Sequence, residues 1–457
     1  MTPCRLIRLY EITTTMKLLS IAALTALSLL AANGKPKAFP YAYDQFDMDN
    51  GLRVITVPTS YPNVVALYIV VQVGSRNEVE PGKTGFAHFF EHMMFRGTKE
   101  FPPDKFQATL QQAGAANNAF TSDDLTAYHT TFSKQDLETM MRMEADRFQN
   151  LDYSLAGFQT EALAVLGEYN KNSASPFLKI EETLNATAFK KHTYAHTTLG
   201  FLNDIKDMPN QFEYSKQFFQ RFYRPEYTTI LVVGDVQPEQ VRTLVKRDWS
   251  GWKRGTYQSP VEAEPPQNGP RSAHIDWPTP TLPISVVAFR NPAYSDTGKE
   301  FAALDLISQL GFSENSPLYK SLVLDKQQAD SLQASNDNHV DPYLFTVMSR
   351  VKKKDDLPAV EQEILSTLAG FKDTLVAKDR LDRVRRNLRY RLALSMDNSE
   401  SIARTLAYAI ALRRTPETLN KTADIYESLT PEDLRDVARK YFTESNRTVI
   451  TLTGASK

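Results

Sequence analysis

The chain repeats its own pattern. An aromatic helical run at 218–223 leads through Arg224-Pro225 to an apolar strand at 228–233 that closes on Gly234-Asp235, and the end of the chain has the same order. There Val437-Ala438-Arg439-Lys440-Tyr441-Phe442 precedes a β-rich run at 447–454. A strand expected at 284–289 and a helix at 297–310 restart what the first half opens with: β-rich runs at 52–57 and 64–73, then a helix at 86–95. Between the halves, residues 255–270 hold Pro260, Pro265, Pro266 and Pro270, the composition of a linker. At 457 residues the chain is also too long for one ordinary core, and an internal duplication into two domains satisfies both observations.

Composition excludes little by itself. With 42% hydrophobic and 23% charged residues the chain is ordinary for a globular protein, and a formal net charge of −1 gives no whole-chain attraction for nucleic acid or anionic membranes. The first residues differ from the rest. Met16-Lys17 precede an apolar run at 18–32 and the polar Asn33-Gly34-Lys35-Pro36, which reads as a signal peptide over 1–34 with an upstream extension before Met16. The run is shorter than the roughly 20 residues of a membrane span. A soluble exported protein, periplasmic or secreted, is therefore expected, with no stable membrane insertion of the mature chain. The only cysteine, Cys4, precedes the segment, so the mature protein has no internal disulfide.

One pentapeptide carries chemistry. In His88-Phe89-Phe90-Glu91-His92, a helix sets the two imidazoles one turn apart on one face, where both can hold a single metal ion. Glu91 shares that arc and can reach a metal-bound water without being a ligand itself. The order His-x-x-Glu-His is the inverse of the commoner zinc-hydrolase signature. Catalytic zinc takes three protein ligands, so the third must come from another element. Glu161 and Glu168 share one face of a helix expected at 157–171, and each is either a candidate ligand or a solvated surface charge. His129, His192, His196, His274 and His339 are expected to be structural or surface residues.

These residues occur with Asn50-Gly51-Leu52, Gly74-Ser75, Thr84-Gly85, Phe95-Arg96-Gly97-Thr98, His192-Thr193-Tyr194 and Phe222-Tyr223-Arg224-Pro225. With them the chain resembles the pitrilysin/insulinase family of inverzincin metallopeptidases, which includes the mitochondrial processing peptidases. The resemblance covers nearly the whole mature chain and is sharper before the linker than after it. It implies one Zn2+ per chain held by His88, His92 and Glu168, with Glu91 as general base and Glu161 as an auxiliary glutamate that orients the site. Asn117-Asn118-Ala119-Phe120-Thr121 resembles the family's active-site edge strand, which binds an extended peptide by strand addition. Asn118, Ala119 and Phe120 are thus expected substrate contacts. The implied fold is α+β: two homologous halves, each a mainly antiparallel β-sheet packed with α-helices, forming a clam-like cleft. The implied division is a catalytic zinc-binding domain at 40–254 and a degenerate copy at 271–457, where Phe301-Ala302-Ala303-Leu304-Asp305-Leu306 keeps packing residues but no ligand set. The implied activity is zinc-dependent hydrolysis of short or unfolded peptides.

The family pattern breaks in the second half. Many members carry an arginine and a tyrosine in a segment resembling Arg-Gly-Leu-Ala-Tyr, which contact substrate and stabilise the oxyanion. Here the corresponding stretch is Asp325-Lys326-Gln327-Gln328-Ala329-Asp330-Ser331. Losing oxyanion donors commonly costs a factor of about a hundred or more. The chain is therefore expected to be the zinc-bearing subunit of a heterodimer whose homologous partner supplies the pair, with a homodimer as second choice. The alternative is a non-catalytic structural or assembly subunit, against which the intact residue set at 88–92, 161 and 168 speaks. No nucleic-acid partner is expected, and the basic stretch at 380–391 is read as a solvated helix face.

Overall fold

Two sheets of the same design make up the frame of the computed structural model, which describes residues 37–455. The expected leader at 1–34 lies outside the described residues. The first sheet holds β1 (Asp44–Asp47), β2 (Arg53–Pro58), β3 (Val64–Val71), β4 (Ala116–Thr121), β5 (Thr126–Ser133) and β6 (Thr228–Gly234), in the order β1-β2-β6-β3-β5-β4. The second holds β7 (Arg271–Trp277), β8 (Ile284–Arg290), β9 (Ala329–Asn336), β10 (Leu344–Val351) and β11 (Arg447–Gly454), in the order β7-β11-β8-β10-β9. Set β1 aside and the two orders coincide. In each, the opening strand lies parallel to the closing strand, and every other pairing is antiparallel. The duplication and the α+β class read from the sequence are both present.

The central strands β3, β6 and β8 are buried on both faces, so each sheet must be covered twice. β6 is buried at every position and β3 at all but its first. Three helices in each half decide how the covering is done: α1 (Phe86–Met93), α2 (Leu155–Asn172) and α3 (Pro176–Ala188), then α4 (Lys299–Phe312), α5 (Lys378–Leu394) and α6 (Ser399–Arg413). Val65, Leu67, Ile69 and Val71 of β3 enter a core shared with Phe86, Phe89 and Phe90 of α1 and with Phe158, Ala162 and Val165 of α2. Ala66, Tyr68 and Val70 point to the opposite face. That face is covered by α6, which packs on β3 and β6 from the other half of the chain. The exchange is reciprocal. Ile180, Leu184 and Ala188 of α3 share a core with Ile275, Ile284, Val286, Ile450 and Leu452 of the second sheet. α5 carries the basic stretch and buries only Leu381 completely, as a solvated face does.

Local signals set the helix ends. Ser154 accepts the N–H of Gly157 to start α2, Ser175 accepts that of Phe177 with Pro176 at the first turn of α3, and Asn398 accepts that of Ser401 to start α6. Arg414 ends α6 in the left-handed region at φ 54, and its guanidinium binds the carbonyl oxygens of Gly51, Glu226 and Thr228 at 2.9–3.0 Å. The stretch between Trp249 and Arg271, without helix or strand, is not a loose tether. Glu264 within it accepts the backbone N–H groups of Lys190, Lys191 and His192 at 2.7–3.0 Å.

A polar latch completes the junction. Arg76 Nε and His192 Nε2 meet the Asp341 carboxylate at 2.6 and 3.0 Å, His339 Nε2 meets Asp123 at 3.0 Å, and Asp124 accepts from Tyr194 Oη at 2.8 Å and from the N–H of Val340 at 3.0 Å. Burial by itself would raise the Asp341 carboxyl, but the hydrogen bonds from His192 and Arg76 outweigh it and hold the group at about 2. A carboxylate depressed on folding contributes stability above its ordinary value and loses it as pH falls through the folded value. Asp341→Asn should therefore lower the urea midpoint at neutral pH, with the gap to the parent chain closing as the pH approaches 2. Ile410, fully buried on α6, tests the helix exchange. Ile410→Ala should destabilise by about 2–5 kcal/mol while leaving one unfolding transition by circular dichroism, because the interlocked cores melt together.

Candidate active site

α1 has two faces. Phe86, Phe89, Phe90 and Met93 recur at the spacing of one helical stripe and are all buried, with Phe90 stacked on Phe218 at 5.4 Å and Phe89 edge-on to Phe158 at 5.1 Å. This anchoring leaves His88, Glu91 and His92 on the other face, toward α2. On α2, Phe158, Ala162, Val165 and Tyr169 make the buried stripe, and Glu161 and Glu168 flank it.

The two helices bring three donor atoms together. His88 Nε2 lies 3.5 Å from Glu168 Oε2, and His92 Nε2 lies 3.3 Å from the same oxygen. One donor atom from each of His88, His92 and Glu168 falls within 4.8 Å of the others. A tetrahedral ion with bonds of about 2.0–2.1 Å sets its ligand atoms about 3.3–3.4 Å apart, which both imidazole–carboxylate distances match. A charge-assisted hydrogen bond would be shorter, near 2.7–2.9 Å. Burial, with His92 alongside, pushes the His88 imidazole down to about 4 against the pull of Glu168. The ring is therefore neutral near pH 7, with a lone pair to give a cation.

The remaining carboxylates are placed differently. Glu161 is buried, with Oε2 at 3.5 Å from His92 Nδ1 and Oε1 paired with Arg96. It reaches the far nitrogen of a candidate ligand, the position from which a carboxylate fixes ring orientation. Glu91 Oε2 accepts from Thr121 Oγ1 at 2.7 Å. Burial raises the Glu91 carboxyl, while the Thr121 hydrogen bond and the charge of His92 oppose the rise.

Thr121 ends β4, the edge strand of the first sheet. Ala119 points into the core, so only its backbone is free to meet a ligand. Its N–H donates to the side-chain oxygen of Asn118 at 2.9 Å. Phe120 stacks at 5.3 Å on Tyr408 of α6, a residue of the second half. A depression of about 460 Å³ is lined by His88, Glu91, Thr121, Glu168 and Phe177, all from the first half. Two of these groups escaped sequence reasoning. Thr121 was visible only as part of a strand, and Arg96 only as part of a flanking motif; their partners Glu91 and Glu161 are 30 and 65 residues away.

The histidines outside the pentapeptide have other work. His192 and His339 belong to the latch, and His129 stacks on Tyr68 at 4.7 Å.

Comparison with known proteins gives the same family. Residues 53–201 match the family model described as Insulinase (Peptidase family M16), and residues 211–388 match Peptidase M16 inactive domain. The chain belongs to the insulinase family of peptidases. It is 27% identical over 448 residues to the zinc protease PqqE of Helicobacter pylori, a match spanning 96% of this chain and 100% of that protein. The crystal structure of a protease from Helicobacter pylori superposes with a TM-score of 0.84 at 27% identity, covering 90% of this chain and 99% of that one. The periplasmic protease PqqL from Escherichia coli superposes with a TM-score of 0.72 at 20% identity, covering 91% of this chain and 48% of that one. At that identity the likeness to PqqL is one of fold. The pentapeptide lies in the first of these matches, and the inactive-domain match begins within the first half, at residue 211, and runs through most of the second.

Metal binding is the direct test of the site. Zinc added to the metal-free chain should raise the thermal midpoint with one-to-one stoichiometry, and Glu168→Gln should abolish the rise. Glu161→Ala should keep the stoichiometry while weakening zinc about 10–100-fold in a chelator competition.

Proposed function

We propose that this chain is an exported zinc metalloendopeptidase that hydrolyses short or unfolded peptides, acting as the metal-bearing subunit of a two-subunit enzyme. The observation that carries the reading is the convergence of His88, His92 and Glu168 on one point, with Glu91 between them and the edge of β4. Zinc held there would polarise both the attacking water and the scissile carbonyl. Glu91 takes the proton from that water and returns it to the leaving amine, a task suited to a carboxyl raised by burial. Thr121 fixes the Glu91 carboxylate at the strand along which the peptide lies. A peptide joining β4 as a further strand takes the N–H of Ala119 from the Asn118 side chain, so backbone recognition precedes any choice of sequence.

The subunit arrangement rests on what the second half does. The stretch expected to carry an arginine and a tyrosine spans the end of a π-helical turn at Lys320–Asp325 and the first residues of β9, and it holds neither residue. The lining of the depression also comes from the first half alone. A homologous second chain is the natural source of the missing donors, and a second copy of this chain is the runner-up. The longer chain of PqqL has length for another such unit in one polypeptide. Export is supported by the apolar segment at 18–32 and is in keeping with the periplasmic location named for PqqL. No helix among the described residues is long and apolar enough to cross a membrane.

Digestion of a peptide library by the purified chain, with and without co-purified protein, tests the proposal. Glu91→Gln should bind zinc normally and lose at least about a hundredfold in kcat. Activity equal to the parent in Glu91→Gln would return the chain to the non-catalytic alternative.

A further inference from the structure

The helix that carries His88, Glu91 and His92 has no cap of its own. Its N-cap is Gly85 at φ 90, which offers no side chain to the free N–H groups of the first turn. Nothing larger fits there. A Cβ on Gly85 would sit 2.8 Å from the carbonyl oxygen of Leu199, and the left-handed φ disfavours one in any case. Phe86 and Ala87 are buried, so water is no substitute partner.

The missing acceptor comes from seven residues upstream. Glu78 Oε2 accepts the N–H of Gly85 at 2.8 Å, and Oε1 accepts that of Ala87 at 2.7 Å. The residue is 3% exposed. Among the described residues the one basic group within ion-pair distance is His196 Nδ1 at 3.9 Å, and burial lowers that imidazole toward its neutral form. A buried carboxylate with no guanidinium or ammonium beside it is costly unless something else compensates. Here the positive end of α1 offsets part of that cost, and protonation of the carboxyl relieves the rest. Burial pushes the Glu78 carboxyl up to about 8 even though the N–H groups of Ala87, Gly85 and Phe86 oppose the rise, so near pH 7 it accepts those N–H groups largely as the neutral acid.

The turn that presents Glu78 is itself fixed. Ser75 Oγ donates to Asp123 at 2.9 Å, the N–H of Arg76 donates to the Asp123 carbonyl at 2.9 Å, and Arg76 reaches Asp341 of the second half. The start of α1 is thus tied through one carboxyl group to a turn braced by β4–β5 and by the latch.

We propose that Glu78 is a positioning residue for the metal site: its carboxyl group grips the first turn of α1 and so sets where His88 and His92 stand relative to Glu168 on α2. It neither binds the metal nor carries a proton in the reaction. The inference rests on the zinc-peptidase reading for its purpose, but its geometry is independent of any bound ion.

The test uses the full chain with three substitutions. Glu78→Ala should speed amide exchange across 85–93 about tenfold in the metal-free protein, and should weaken zinc about tenfold or more by chelator competition. Glu78→Gln keeps one acceptor oxygen and should fall between Glu78→Ala and the parent in both. Glu80→Ala removes a carboxylate from the same loop, one that pairs with Arg221 at 2.8 Å, and should change neither. In peptide hydrolysis Glu78→Ala should lower kcat with little change in KM, because the strand edge that binds peptide is untouched. Parent-like exchange over 85–93 in Glu78→Ala, or faster exchange with unchanged zinc affinity, overturns the proposal. Should Glu78→Ala fail to fold, Glu78→Gln decides alone: parent-like exchange and affinity there overturn it too. A parent chain that binds zinc and cleaves no peptide even together with its co-purified partner overturns the peptidase reading and leaves the exchange and affinity results to judge Glu78.

Discussion

The exchange of α3 and α6 between the halves is the constraint on which the rest of the structure depends. Each sheet is buried on both faces at its central strands, and each half supplies cover for only one of its own. Neither half can bury its sheet without the other. The arrangement reaches the site directly, since only Ser173, Ala174 and Ser175 separate the end of α2, which carries Glu168, from the start of α3. α3 is held on the second sheet. The half without ligands therefore fixes one end of the helix that presents the third donor. Burying a single Ile or Leu contributes about 1.5–3 kcal/mol, so the several that α3 places on the second sheet hold α2 firmly at that end.

Within this frame the site is a meeting of two helices with opposite demands on their faces. α1 commits its aromatic stripe to the core, which turns both imidazoles toward α2, and α2 does the same with a smaller stripe and turns two carboxylates toward them. The electrostatics then divide the labour. His88 is kept neutral by burial, Glu161 is pinned by Arg96 behind His92, and Glu91 is held by Thr121 at the strand edge. Three carboxylates within reach of two histidines thus have three distinct surroundings, and different surroundings give chemically similar groups different roles.

Much of this was legible in the sequence, and the reason is periodicity. Helical spacing placed His88 beside His92 and Glu161 in line with Glu168; strand and helix order revealed the duplication. What stayed hidden depends on contacts between distant segments. α3 and α6 leave no mark that says which sheet they cover, because an amphipathic helix reads the same wherever it docks. Glu78 resembles any loop glutamate, since the local capping signals place an acceptor within three residues of the helix start and this one lies farther back. The stretch at 255–270 has a linker's composition, yet Glu264 stitches it to the backbone at 190–192.

The Asn118 side chain on the N–H of Ala119 has a consequence for the life of the protein before it meets any substrate. β4 is an open sheet edge, and such an edge is a template for unwanted pairing with other copies of the chain. On the proposed reading this edge cannot be charged or bulged away, because the same backbone groups must stay able to receive a peptide. A side-chain amide that occupies the donor and swings clear is a reversible guard. It lets the edge persist in solution unpaired while remaining open to a strand that brings enough contacts of its own to displace it.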